Sequence, residues 1–106
     1  MLGRLITNLV ENAWRYGSDE KPVQITVMAD HEEALLMVQD HGIGISPVDQ
    51  EKIWQRFYQV DVSRSNQEGS GLGLSMVKQI AKLHGGYMTL DSSLGKGSTF
   101  TLHLPL

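Results

Sequence analysis

A chain of 106 residues with a net charge of −3 is sized for one domain, and it carries no basic field to draw in nucleic acid or anionic lipid. It has no cysteine, which excludes a disulfide framework and thiolate metal sites. No apolar run approaches the roughly 18 residues of a membrane span, and no signal peptide is visible.

Leu2, Ile6, Leu9 and Ala13 recur at helical spacing, which predicts a helix over roughly 2–15, stopped by Gly17-Ser18. Its start is abrupt: Met1-Leu2-Gly3 runs straight into the amphipathic pattern, which reads as a piece of a longer chain. Val23, Ile25 and Val27 alternate with Gln24, Thr26 and Met28, so a strand with one better-buried face is expected. Asp30-His31-Glu32-Glu33 is a polar hairpin turn, and Ala34 to Gln39 is the returning antiparallel strand. Ser46-Pro47 opens a short helix, with Ser as N-cap and Pro at the first position, leading to Ile53, Trp54 and Phe57. From Gln59 to Gly69 periodicity fails, and the segment reads as a mobile loop. Helical spacing resumes over Leu72 to Leu83 and ends at Gly85-Gly86. Two last strands, Tyr87–Leu90 and Ser98–Leu104, are joined by Ser92 to Gly97. The order predicts an α+β fold in one domain spanning 1–106. It is a two-layer α/β sandwich, with a mixed, mainly antiparallel sheet and helices on one face.

Two glycine clusters, DHGIGI (40–45) and GSGLGL (69–74), pose the chemical question. The second lacks the preceding strand of a dinucleotide fingerprint, and no Walker pattern is present. Its glycines do open a helix, where free backbone N–H groups and the helix dipole favour an anion. On the first helix Asn8 and Asn12 share a face, with Arg15 and Tyr16 one turn beyond Asn12. Amide oxygens are hard ligands suited to Mg²⁺, a guanidinium suits phosphate, and a phenol offers a surface to a base. The same pattern would also serve as a solvated polar face. None of the four histidines has metal-ligand spacing to another. His31-Glu32 falls in a turn, His41 in the first glycine cluster, His84 at a helix end and His103 on a strand surface.

Four stretches in order carry a family resemblance. NLVENAWRYG resembles the N box of histidine kinase catalytic domains, DHGIGI the first glycine box, IWQRFYQV the F box, and GSGLGLSMVKQIAKLHGG the second glycine box. GKGSTFTLHLP resembles the closing strand pair. The resemblance covers nearly the whole chain and implies a Bergerat-type fold of the gyrase, chaperone and histidine kinase superfamily that binds ATP with Mg²⁺. It implies that Asn12 ligates Mg²⁺, with Asn8 one turn earlier, Arg15 on phosphate and Tyr16 against adenine. It implies that Asp40 accepts a hydrogen bond from the adenine amine, that Gly42 and Gly44 admit the base, and that Ile45 packs on it. Gln59 to Gly69 becomes a lid anchored by Phe57. Gly69, Ser70, Gly71 and Gly73 line the phosphates, Leu72 and Leu74 close the pocket, and Ser98 supports Asp40 through water. Many relatives have Arg where this chain has Gln59, so Arg64 is the expected replacement at the γ-phosphate, with Tyr58 a further lid contact.

The acceptor histidine of such kinases lies upstream, on a dimerisation domain, and this chain lacks it. The resemblance therefore implies that catalysis by Asn8, Asn12, Arg15 and Arg64 is positioning and charge neutralisation. The phosphoryl group would pass to that domain of the same kinase and indirectly to a response regulator. A cytoplasmic location is expected, with the parent protein anchored in the inner membrane but this domain making no membrane contact. The alternatives are an anti-sigma-factor-like serine kinase of the same superfamily and a module that binds ATP without transfer.

Overall fold

The computed structural model describes residues 2–17, 21–55 and 73–105. The elements are α1 (Leu2–Tyr16), β1 (Gln24–Ala29), β2 (Glu33–Asp40), α2 (Pro47–Lys52), α3 (Gly73–Leu83), β3 (Tyr87–Ser93) and β4 (Gly97–Pro105). The strands lie in the order β1-β2-β4-β3, and every described pairing is antiparallel. Two hairpins are thus joined side by side, with β2 against β4 at the centre.

Local chemistry sets each boundary. Asp30 Oδ1 accepts from the N–H groups of Glu32 and Glu33, both at 2.8 Å, which folds the β1–β2 turn back on itself. Those two bonds hold the exposed Asp30 carboxyl below its ordinary pKa. Ser46 caps α2: its Oγ accepts from the Asp49 N–H and donates to Asp49 Oδ2, with Pro47 at the first helical position. At the end of α3, Gly85 takes a φ of 79°, and Gly86 N–H donates to Ala81 O at 2.9 Å, ending the helix at the glycine pair the sequence marks.

One face of the sheet carries the core. Val38 opposes Phe100 and Leu36 opposes Leu102 across the central pair. α1 packs on α3 and β2 through Leu5, Leu9 and Ala13, while α3 contributes Val77, Ile80 and Ala81. Deleting a fully buried leucine such as Leu9 costs about 2–5 kcal/mol. Trp54, after α2, meets Phe100 edge-on with ring centroids 5.8 Å apart, tying the short helix to the core.

The buried stripe of α1 differs from the one expected. Leu5, not Ile6, sits in the core, and Ile6 lies on the helix's outer side. The run Leu5–Leu9–Ala13 keeps a strict four-residue step, and that face meets both α3 and β2. The strand 24–29 also departs from expectation, since neither of its faces is buried. Ile25 and Val27 oppose Val38 and Leu36, so they share the core-side face of the sheet. As the edge strand, β1 packs chiefly on β2 and lies beyond the footprint of the helices, leaving Val27 71% exposed.

Candidate functional site

β2 ends on the core-side face with Asp40, a carboxylate only 4% exposed. Register places it opposite Ser98 of β4. Its Oδ1 accepts from Gly42 N–H at 2.9 Å. Burial raises its pKa above the ordinary carboxylate range; the N–H groups of Gly42 and Ser98 and the charge of His41 offset part of that rise. The carboxylate opens into a cleft lined by Asn12, Ile43, Gly44, Ile45, Leu74 and Ser98. Apolar walls around one acceptor-only group form a slot for a flat ring that offers a hydrogen-bond donor at its edge.

The wall Ile43–Ile45 is seated on the β3–β4 hairpin. Gly95 N–H donates to Ile43 O at 2.8 Å. Ile45 N–H donates to Ser92 Oγ at 2.8 Å, and Gln50 Nε2 donates to Ile45 O at 2.8 Å and Ser92 O at 3.1 Å. Gly44 has a φ of 74°, and a Cβ there would lie 2.0 Å from Ser93 O. The hairpin backbone thus leaves no room for a side chain at Gly44, which also lines the cleft. Gly97, with a φ of 102°, is confined in the same way beneath the carboxylate: a Cβ would lie 2.2 Å from the Asp40 carbonyl oxygen. Ser92 Oγ also donates to Gly97 O at 2.9 Å and lies 2.8 Å from Ser98 Oγ. All bonds are satisfied together when Ser98 donates to Ser92, and Ser98 then offers the cleft only acceptor lone pairs. A bridge from Ser98 Oγ to the ionised Asp40 carboxylate consequently needs a donor between them.

α1 brings Asn12 to the opposite side of the cleft, where its amide makes no hydrogen bond with the described residues. Asn8, one turn earlier, is half-buried and directs Nδ2 to Met76 Sδ at 3.7 Å. Arg15 is half-exposed in the last turn. Neither Asn8 nor Arg15 lines the cleft around Asp40. Tyr16 closes α1, and its side chain lies outside the described residues. So do Phe57, Tyr58, Arg64, Gly69, Ser70, Gly71, Leu72 and the whole stretch expected as a lid. Gly73 begins α3, and Leu74 follows it into the cleft. Sequence reasoning missed Gln50, Ser92 and Gly97 as cleft-shaping residues. The one signal for Ser92 and Gly97 is the dense run of small and turn-forming residues from Ser92 to Gly97; nothing in the sequence marks Gln50.

Two of the four histidines have structural partners. His84 Nδ1 lies 3.0 Å from Ile80 O. His103 stacks on Tyr87 with centroids 4.4 Å apart, between Thr89 and Glu33. No group of three or more His, Asp or Glu side chains among the described residues is placed to hold a metal ion.

The fold and cleft can be set beside known proteins. The family model described as histidine kinase-, DNA gyrase B-, and HSP90-like ATPase matches residues 1–106. The sensor histidine kinase RppB of Synechocystis sp. is 45% identical over 106 residues, 99% of this chain and 23% of RppB. The chain thus spans less than a quarter of that relative. Among solved structures, the mycobacterial sensor histidine kinase MprB aligns with a TM-score of 0.86 at 31% identity, covering 98% of this chain and 71% of that one. Full-length ShkA, solved in complex with AMPPNP, aligns at 0.83 and 28% identity over 98% of this chain and 21% of its own. The chain belongs to the histidine kinase-, DNA gyrase B- and HSP90-like ATPases, and within that family it matches the ATP-binding domains of histidine kinases.

Proposed function

We propose that this chain binds ATP with Mg²⁺ and presents the γ-phosphate to a histidine on a separate dimerisation domain, within a two-component signalling system. The observation that carries the reading is the buried Asp40 carboxylate at the floor of an apolar cleft, with the Asn12 amide on its far side. Asp40 accepts from the exocyclic amine of adenine, while Ile43, Ile45 and Leu74 exclude water around the ring. The donor set fits the metal: the Asn12 amide oxygen is a hard ligand facing the same cleft. Bound there, Mg²⁺ would neutralise phosphate charge. Arg15, one turn further along α1, adds a fixed cation on the phosphate side.

Asn8 bears on the reaction type. An amide has no basic lone pair near neutral pH, so it cannot activate water as a carboxylate would. Transfer to a protein nucleophile is favoured over hydrolysis. The bond from the γ-phosphorus to the β–γ bridging oxygen breaks, a bond to an imidazole nitrogen forms, ADP leaves, and the imidazole proton goes to solvent. The phosphoryl group passes afterwards to a response regulator. The domain would work on the cytoplasmic side, where ATP is supplied.

The test incubates the chain and the parent kinase's dimerisation domain with γ-labelled ATP. Label on the dimerisation domain that is acid-labile and alkali-stable is the expected result. Acid-stable label would indicate a serine kinase instead. Absence of label alongside tight ATP binding would reduce the chain to a nucleotide-binding module.

A further inference from the structure

We infer that Gln50 and Ser92 are positioning residues that hold the Ile43–Ile45 wall in its nucleotide-ready shape, and that Gln50 ties that wall to α2. The inference rests on the nucleotide reading of the cleft. Ile45 contributes a cleft-lining side chain, yet its backbone bonds to no strand partner. Both of its main-chain polar groups are instead taken by side chains. Ser92 Oγ receives the N–H, and Gln50 Nε2 supplies the carbonyl with a donor. The same Gln50 amine reaches Ser92 O, so its two hydrogens bridge the wall and the hairpin. Those partners lie 47 and 5 residues from Ile45 in sequence, which joins three separate segments at one residue.

The chemistry of each group makes the arrangement demanding. Ser92 has one donor and two acceptor lone pairs. Gly97 O takes the donor, while Ile45 N–H and Ser98 Oγ occupy the acceptors. No capacity remains, so the hydroxyl has one satisfied orientation. Gln50 must present its amine toward two carbonyl oxygens, which fixes the rotation of its amide. Residue 50 lies within α2, four residues before Trp54, which packs on Phe100. Without the two side chains, the wall samples shapes unsuited to the base, and nucleotide must bind the fraction that remains competent. Affinity falls by that fraction, while the saturated state is restored.

The test compares wild type, Gln50→Leu, Gln50→Glu and Ser92→Ala by calorimetric titration with ATP·Mg²⁺, with Gln79→Leu on the exposed side of α3 as control. Gln50→Leu keeps an apolar stem but loses both donors. Gln50→Glu, ionised at neutral pH, sets a carboxylate against two carbonyl oxygens. We expect Kd to rise about threefold to tenfold in Gln50→Leu and Ser92→Ala, and further in Gln50→Glu, with binding stoichiometry retained. Amide exchange without nucleotide should quicken at Ile45 and stay unchanged at Leu102 in the core. The control should match wild type in both readouts. A purely structural role would lower the stoichiometry and quicken Ile45 and Leu102 together, and that result overturns the inference. Unchanged Kd in all three variants overturns it too, leaving the nucleotide reading intact. A wild-type chain that binds no ATP overturns both, whatever the exchange at Ile45.

Discussion

The two sides of the cleft are built differently. On the sheet side, Asp40, Ile45 and Ser98 are held by hydrogen bonds and glycine contacts that run into the β3–β4 hairpin. On the α1 side, the Asn12 side chain makes no hydrogen bond with the described residues; outside the cleft lining on the same helix, the Arg15 side chain makes none either and the Asn8 side chain has only a long contact to sulfur. A base is rigid and planar, so a wall complementary to it gains from being finished in advance. On the proposed reading, phosphates and their cation carry their own charge and hydration, and the α1 side chains keep their bonding capacity for them. The contrast predicts that a side chain forced into the glycine contacts of the sheet side costs stability as well as affinity, whereas α1-side changes cost affinity alone.

The largest expected effect lies on the sheet side. Gly97→Ala places a methyl against the Asp40 carbonyl and forces a side chain into a φ of 102°. It should lower unfolding free energy by about 3 kcal/mol, through backbone strain and overpacking together, in denaturant titrations of the chain without nucleotide. Wild-type stability in that variant would show that the wall is not closely seated. Next, Asp40→Asn replaces a charged acceptor with a neutral amide. ATP affinity should fall by about 1.5–3 kcal/mol, tenfold to a hundredfold, with a gain in relative affinity for GTP, read by competition against a fluorescent nucleotide. Unchanged ATP affinity would mean that the base lies elsewhere.

Across the cleft, Asn12→Ala should remove about 1–3 kcal/mol of Mg²⁺-dependent ATP affinity and leave the unfolding midpoint unmoved. Calorimetry with and without Mg²⁺ reads the first quantity, and a thermal melt the second. A melting temperature that dropped with affinity would erase the contrast between the two sides.

The smallest effect concerns protons. Folding raises the Asp40 pKa, so the native chain holds a proton there that the unfolded chain releases. Stability relative to Asp40→Asn should therefore fall as pH rises from the ordinary carboxylate range through the raised value, then level off. ATP affinity should move in the opposite sense over that window, since the amine needs the ionised acceptor. Parallel pH profiles of stability and affinity would remove Asp40 from the role of base reader.

These contrasts separate what was legible in the sequence from what was not. The element order, the Ser46 cap, the glycine stop of α3 and the Asp30 turn were all readable, because each depends on residues within a few positions of one another. Asp40 and Asn12 stood out through motif order. The roles of Gln50, Ser92 and Gly97 did not, because each acts through a contact with a distant segment or with backbone, which carries no sequence signature. The choice of Leu5 over Ile6 needed the position of α3, and the exposure of β1 needed its place at the sheet edge. What a glycine makes room for is likewise a tertiary fact: at Gly44 a Cβ would meet the hairpin backbone.

The two tryptophans give the molecule a built-in optical division. Trp14 is 81% exposed on α1, whereas Trp54 is half-buried against the Phe100 ring. Emission from the first reports bulk solvent and is open to aqueous quenchers. Emission from the second reports the seat of α2, one helical turn from the residue that grips the cleft wall. Replacing Trp14 with phenylalanine would leave a single fluorophore whose colour and shielding follow that seat alone.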